Sequence, residues 1–354
     1  MKNLSKKKYI LFFIVLVLLI PFAIGIFNYV MDPYEYWFGH SNYSAYFKEE
    51  NRTIYSFIKK YKNTKYKYII CGSSATNHNM DWKDLRNVIK DKDVNYFKLA
   101  LAGASLADSY DLLQNFVSIH PETEYVLIST DFDRFTTFAS NNLPLYQDFD
   151  IKDFIFLLFS QTTLNHSFLK LISKLDNNND IVLRSINPRV RYTDWYTRRV
   201  NEQNFYYLKQ ILNLLEQKNI KYILYTEPYH AYTLVDIYKQ NVYKYMEEFK
   251  KELALITPFY DFEYIGKYSE APISLENPYW HDPIHSTSVL GKEMLEKMIY
   301  NKGDFGVYVT ENNINNHLEK QKKELIQYMN THVKEIEKFL SYGHIDMYTI
   351  KECK

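Results

Sequence analysis

The stretch YIICGSSATNHN, residues 68–79, closes an apolar run with Gly72 and follows it with Ser73 and Ser74. Far downstream, YWHDPIHSTSVLG, residues 279–291, places Asp282 three residues before His285. A serine becomes a nucleophile when a base takes its proton, and the base needs a group that holds it in the accepting tautomer. A turn over 282–285, stiffened by Pro283, sets the Asp282 carboxylate against the His285 imidazole and leaves the ring to accept from serine. The chemistry expected of this trio is acyl transfer through a serine ester. Plainer readings stand beside it. GSSAT is also a glycine turn followed by a serine helix cap, and HDPIH is also a capping aspartate with a surface histidine. His281 and His285 are four apart, a spacing that suits a metal held on one helix. Pro283 argues against that helix and no third ligand is placed nearby, so neither metal nor cofactor is expected.

The elements that must carry these groups follow from periodicity. KYKYIICG, NYFKLALAG and EYVLIST read as strands, and WKDLRNVIK reads as a helix. SLADSYDLLQNFVSI spaces Leu106, Tyr110, Leu113, Phe116 and Val117 at helical intervals, with Ser105 and Asp108 as a capping-box pair. Residues 131–201 break the rhythm as a long insertion with helices of its own. Regularity returns with the helix NEQNFYYLKQILNLLEQKN, the strand IKYILYTEP, a helix near 234–255 and a last one over 286–300, capped by Ser or Thr. Such alternation predicts an α/β domain of three layers, α/β/α, with a parallel sheet covered on both faces. Ligands of such sheets bind beyond the carboxyl ends of the strands. Those ends carry Gly72-Ser73-Ser74, then Gly103 in ALAGAS, then Asp131 and Asp133. A serine at a strand-to-helix turn also gains the helix N–H groups as oxyanion stabilisers. Asp131 is expected to bond the following turn, because its charge is wrong for facing an oxyanion. His230, in EPYHAY at another strand end, is either a substrate contact or a structural histidine.

At the N-terminus, MKNLSKKK precedes 22 uncharged residues, 9–30. About 20 suffice to cross the hydrocarbon core of a bilayer. The lysines predict a cytoplasmic tail and an extracytoplasmic remainder, and YEYWF, residues 34–38, suits the outer interface. A cleaved signal peptide is the alternative, although its apolar core is normally about 7–15 residues and the nearest cleavage-like site is Ala23-Ile24-Gly25. The expected organisation is a tail over 1–8, an anchor over 9–30 and a connector over 31–64 with a short helix around AYFKEENRTIYSFIKKY. The α/β domain then runs over 65–305 and a helical extension over 306–354. The charged helix NNINNHLEKQKKELIQYMNTHVKEIEKFL in that extension is either a partner-binding arm or a solvated helix packed along the domain edge. Lys and Arg number 43 against 42 Asp and Glu, a balance that argues against a general nucleic-acid binder. Sugar stacking would be the functional reading of the 34 tyrosines and codon bias is the plainer one, so the count decides nothing about function. Cys71 and Cys353 imply no disulfide framework, and Cys71 reads as a small buried hydrophobe.

A Gly-x-Ser turn after the first strand, a glycine after the second and Asp-x-x-His before the last helix together resemble the SGNH (GDSL-type) hydrolase superfamily, over about residues 65–300. The resemblance implies a flavodoxin-like fold with Ser74 as nucleophile and Asp282 and His285 completing a triad. It also implies the backbone N–H groups of Ser74 and Gly103 as the oxyanion hole. Ser73 stands where the family has Asp. STDFDRF lacks the Asn of the family's third block, a place left to Thr130, Asn77 or an insertion residue. With the anchor, NYVMDPYEYW and FGVYVTENN, the chain is similar to single-span envelope proteins that work beside membrane-bound O-acyltransferases, as in alginate O-acetylation and in teichoic acid D-alanylation (DltD-like proteins). That likeness implies an O-acyltransferase or esterase on a cell-envelope polysaccharide or teichoic acid. It further implies the bacterial cell membrane as location and a membrane-bound O-acyltransferase as partner. The alternative is a catalytically inactive SGNH-like accessory protein that binds glycan or scaffolds such an enzyme.

Overall fold

The computed structural model describes residues 6–33, 63–80, 82–90, 95–100, 103–136, 151–175, 191–192, 198–274, 276–342 and 344–345. The chain divides into two units, Met1–Tyr61 with Pro144–Arg184, and Lys62–Leu143 with Ser185–Lys354. The stretch expected as a single insertion over about 131–201 is therefore split. Its middle belongs with the N-terminal helix and its ends with the α/β domain. The helix expected around AYFKEENRTIYSFIKKY and the YEYWF stretch lie outside the described residues.

Helix α1 (Lys6–Met31) runs unbroken through Pro21, and its stretch Lys8–Met31 is long and apolar enough to cross a membrane. β1 (Tyr68–Gly72) passes through Ser73 into the short α2 (Ser74–Asn79), followed by α3 (Trp82–Ile89). β2 (Tyr96–Ala100), α4 (Leu106–Ile119), β3 (Tyr125–Ser129) and the brief α5 (Phe132–Thr136) come next. α6 (Ile151–Phe159) and α7 (Gln161–Leu175) pack with α1 in the smaller unit. β4 (Arg191–Tyr192), α8 (Glu202–Gln217), β5 (Lys221–Tyr225), α9 (Ala231–Lys239), α10 (Tyr243–Ile256) and β6 (Phe259–Asp261) return to the larger one. α11 (Ser288–Tyr300), β7 (Val307–Val309), α12 (Ile314–Thr331), α13 (Val333–Leu340) and β8 (His344–Ile345) complete it.

The main sheet has the order β2-β1-β3-β5-β6-β7, with β4 and β8 paired apart. The first five strands are parallel and β7 is antiparallel to β6. The parallel expectation thus holds for the strands that carry the candidate site and fails at the edge, where doubly wound sheets commonly take an antiparallel strand. Neighbouring side chains alternate faces. Ile70 and Leu127 point into a core with Leu85 and Val88 of α3 and Leu290, Met294 and Met298 of α11. The other face holds Phe97 against Phe116 of α4, ring centroids 4.9 Å apart, with α4 packed on α8. Both faces are covered, so the central strands are apolar runs rather than alternating ones.

α4 begins with the anticipated capping box: Asp108 N donates to Ser105 Oγ, and Ser105 N donates to Asp108 Oδ2 at 2.8 Å. Near the C-terminus, α12 packs one face along the domain edge and leaves the other to solvent. It buries Ile314, Leu318 and Leu325, and its His317 and Gln321 both reach the Asp261 carboxylate that also pairs with buried Lys250.

Candidate active site

The order β2-β1-β3-β5-β6 is the doubly wound order 2-1-3-4-5, in which the winding direction reverses between β1 and β3. Ser74 stands at that reversal, as the first residue of α2 immediately beyond the carboxyl end of β1. Close packing, not capping, shapes this turn. Ser73 occupies the N-cap position but makes no side-chain cap bond. A Cβ on Gly72 would come within 1.8 Å of Thr76 Oγ1, so α2 can fold back onto the strand only over glycine. The reading of GSSAT as a serine cap therefore describes the position of Ser73 and not its bonding.

His285 arrives from the loop before α11. Trp280 and Ser286 form an isolated antiparallel bridge, and His281 N donates to His285 O, so the loop is closed at its base. Its apex is held too, because Pro283 O accepts from His230 N and from Thr233 Oγ1. Within it, Asp282 Oδ1 accepts from Ile284 N and His285 N, each at 2.8 Å. Asp282 Oδ2 lies 2.7 Å from His285 Nδ1, and His285 Nε2 lies 3.1 Å from Ser74 Oγ. Burial acts to raise the Asp282 pKa, but attraction to His285 and the hydrogen bonds from its ring, Ile284 N and His285 N outweigh it and hold the carboxyl below the usual range. An ionised Asp282 accepts only, so Nδ1 carries the proton and Nε2 faces serine as an acceptor. Asp282 and His285 are buried while Ser74 is half-buried, which leaves the hydroxyl end of the chain of bonds open.

The helix under Ser74 is braced from three sides. Glu227, just beyond β5, accepts from Thr76 Oγ1 and from Asn79 Nδ2, each at 2.6 Å. Asn79 Nδ2 also lies 3.1 Å from Ser286 Oγ, next to His285. Buried Lys98 of β2 donates to Asn77 O and Met80 O at the end of α2. Gly291 of α11 lets that helix approach so closely that a Cβ there would sit 1.9 Å from Asn79 O. Thr287 holds the N-cap position of α11, as Ser or Thr was expected to, yet its hydroxyl donates to Pro278 O instead of capping.

Gly103 adopts a left-handed φ of +68, and an added Cβ would meet nothing within 4 Å, so the turn fronts open space. Buried Arg134 of α5 fastens the residues after it. Nε donates to Ala104 O and Nη2 to Ser105 O, both at 3.2 Å, while Nη1 reaches Ser129 O and Nη2 reaches Ser109 Oγ.

Of the other residues singled out in the sequence, Asn77 is buried with Nδ2 on Ala100 O, and Thr130 is buried with Oγ1 on Tyr225 O. Those bonds are internal to the fold. Asp131 is bonded not to the following turn but to Ser129 Oγ behind it, and burial pushes its pKa up to about 7 against the pull of Arg134. His230 caps α9, accepting from Tyr232 N at Nδ1 and donating from Nε2 to Ala271 O. Burial pushes its pKa down to about 4, so the ring is a neutral structural element. His281 and His285 belong to one closed loop, joined by the bond from His281 N to His285 O, and share no helix. The ring of exposed His78 of α2 is near both, its centroid 4.7 Å from that of His285 and 5.2 Å from that of His281. Among the described residues, no group of three or more His, Cys, Asp or Glu side chains is arranged to hold a metal. Sequence reasoning missed Glu227, Asn79, Arg134 and His78. The rule that ligands gather at strand ends would have picked out Glu227 in YTEP; an internal clamp such as Arg134 carries no such signal.

No protein-family model matches the chain, and no curated protein does. Solved structures do match it, two of them as follows. One is a candidate acylhydrolase from Bacteroides fragilis, 15% identical, with a TM-score of 0.35 over 73% of this chain and 96% of that one. The other is a GDSL-like lipase from Bacteroides thetaiotaomicron, 13% identical, with a TM-score of 0.36 over 71% and 97%. At those scores neither likeness bears on activity. The strand order, with a serine after β1, a glycine after β2 and an Asp–His pair before α11, characterises the arrangement more sharply. The fold is SGNH-like.

Proposed function

We propose that this chain is a membrane-anchored, extracytoplasmic SGNH-like O-acyltransferase or esterase that acts on a cell-envelope polysaccharide or teichoic acid. The observation that carries the reading is the continuous run of hydrogen bonds from Asp282 through His285 to Ser74. In the proposed reaction His285 Nε2 takes the proton of Ser74 Oγ as that oxygen bonds to the acyl carbon. The tetrahedral oxyanion is met by the backbone N–H groups of Ser74 and Gly103, with the Gly103 turn held by Arg134. The imidazolium then returns its proton to the leaving oxygen as the acyl bond to the donor breaks, which leaves an ester on Ser74. A sugar or polyol hydroxyl, or water, gives its proton to Nε2, attacks that ester and departs with the acyl group while Ser74 recovers its proton. The anchor reading rests on α1, and a membrane-bound O-acyltransferase is the proposed source of the acyl group.

A serine-directed phosphonate probe tests the nucleophile on the full chain in detergent. Labelling is expected of the wild type, to be lost in Ser74→Ala and slowed in His285→Ala. Labelling that persists in Ser74→Ala overturns the assignment. In cells, polymer O-acylation that survives Ser74→Ala but not deletion of the protein leaves the non-catalytic accessory reading in its place.

A further inference from the structure

The smaller unit joins α1 to α6 and α7, and its polar bonding is unusual for surface helices. Asn28, on the apolar α1, is fully buried. Its Nδ2 donates to Leu158 O at 2.8 Å, and its Oδ1 accepts from Ser167 Oγ at 2.8 Å. Leu158 O is among the carbonyls that the end of α6 leaves without a helical partner. Phe156 O, two residues back, accepts from Ser160 N and from Thr163 Oγ1. Ser160 Oγ in turn accepts from Thr163 N and caps α7. At the corner between α6 and α7, Leu158 O, Phe156 O and Thr163 N are therefore each met by a side chain.

That corner meets α1 within the apolar stretch. A Cβ on Gly25 would lie 2.6 Å from the Phe159 ring, and the rings of Phe27 and Phe168 are 5.0 Å apart. A helix rises about 1.5 Å per residue, so a hydrocarbon core of about 30 Å that begins at Tyr9 ends near Asn28 or Tyr29. Gly25, and Phe159 against it, then lie about 6 Å inside the outer boundary. The outward face of α6 is apolar where water would not favour it: Ile151 is 69% exposed, Ile155 51% and Phe159 43%. Phe168 of α7, at 50%, and Ile26 and Val30 of α1, at 49% and 61%, extend the same kind of surface.

We infer that α6, with the corner to α7, is seated in the outer leaflet beside α1, so that the smaller unit meets the membrane as a span plus an interfacial hairpin. Lipid demands that backbone polar groups be satisfied internally, which is what Asn28, Ser160 and Thr163 do at this corner. A helix with one apolar face binds in proportion to the apolar area it inserts. The inference rests on reading α1 as a membrane anchor, and it commits to acyl chains rather than protein as the cover of Ile151, Ile155 and Phe159.

The test uses the full chain in phosphatidylcholine–phosphatidylglycerol vesicles, with Cys353→Ser and buried Cys71 left in place. Nitroxide labels are attached at Ile151→Cys and Ile155→Cys, with Val15→Cys as a reference on α1, and collisional access to oxygen and to a water-soluble nickel chelate is measured. The inference expects severalfold greater access to oxygen than to nickel at 151 and 155, as at 15. Greater access to nickel at 151 and 155, with 15 still in lipid, overturns the hairpin and leaves the anchor standing. Low access to both reagents at 151 and 155 means protein covers the face, and also overturns it. Water-like access at 15 removes the anchor reading and the hairpin with it.

Discussion

Glu227 Oε2 accepts a hydrogen bond from Asn79 Nδ2 at 2.6 Å, at the last residue of the helix that begins with Ser74. The same carboxylate accepts from Thr76, so a residue beyond β5 sets where the helix after β1 can lie. Glu227→Ala leaves two buried donors without their acceptor, at a cost of about 2–4 kcal/mol in stability. A displacement of α2 shifts Ser74 against His285, and turnover should fall about tenfold to a hundredfold with KM little changed. Thermal unfolding together with ester-hydrolysis kinetics checks both, and unchanged kcat would show that the brace does not position the serine.

Asp282 holds His285 through Nδ1, and only the carboxylate fixes the proton there. Asp282→Asn keeps the shape while offering the ring an N–H or a weaker acceptor. Phosphonate labelling of Ser74 should slow by about a thousandfold to ten-thousandfold at pH 7. The rate of labelling, followed with the fold monitored by circular dichroism, is the measurement.

Two glycines of the candidate site should behave differently on substitution by alanine. Gly103→Ala meets no neighbour and incurs only the left-handed backbone strain, about 1–2 kcal/mol. Gly72→Ala drives a methyl into Thr76 and α2, an overpacking loss of about 1–3 kcal/mol or more. The functional effects separate them further. Gly72→Ala should abolish phosphonate labelling by moving α2, whereas Gly103→Ala should retain a slowed reaction.

Stability should depend on pH through two buried groups of opposite sign. His230 titrates at about 4 in the fold against about 6.5 unfolded, so the unfolded chain binds the proton first and the fold loses roughly 3 kcal/mol as pH falls through that window. Asp131 titrates at about 7 in the fold. The unfolded carboxyl ionises near 3.9, so the fold keeps a proton that the unfolded chain has released, and stability falls as pH rises from about 4 to 7. His230→Gln should gain on the wild type as pH drops from 7.5 to 5. Asp131→Asn should gain as pH rises over the same range. Unfolding temperatures at the two pH values read both slopes, and slopes of the reverse sign would refute the burial argument.

The sequence by itself determined an apolar N-terminal helix long enough to cross a membrane, the alternation of strand and helix, and the order in which Ser74, Gly103, Asp282 and His285 occur. Those features are local: an apolar run, a period of two or of 3.6, a glycine at a strand end. Tertiary structure decided the rest, because it depends on which distant groups meet. GSSAT alone reads as a cap, yet Ser73 makes no cap bond and Ser74 points its hydroxyl at an imidazole brought in by the loop before α11. Nor did the sequence show that Asn77 Nδ2, Thr130 Oγ1 and His230 Nε2 are bonded within the fold, to Ala100 O, Tyr225 O and Ala271 O. Arg134 had no motif to mark it, since a buried charge away from a strand end is recognised only by the partners that satisfy it. The pairing of 144–184 with the N-terminal helix was equally invisible, because Asn28 looks like a stray polar residue until Leu158 and Ser167 are seen on either side of it.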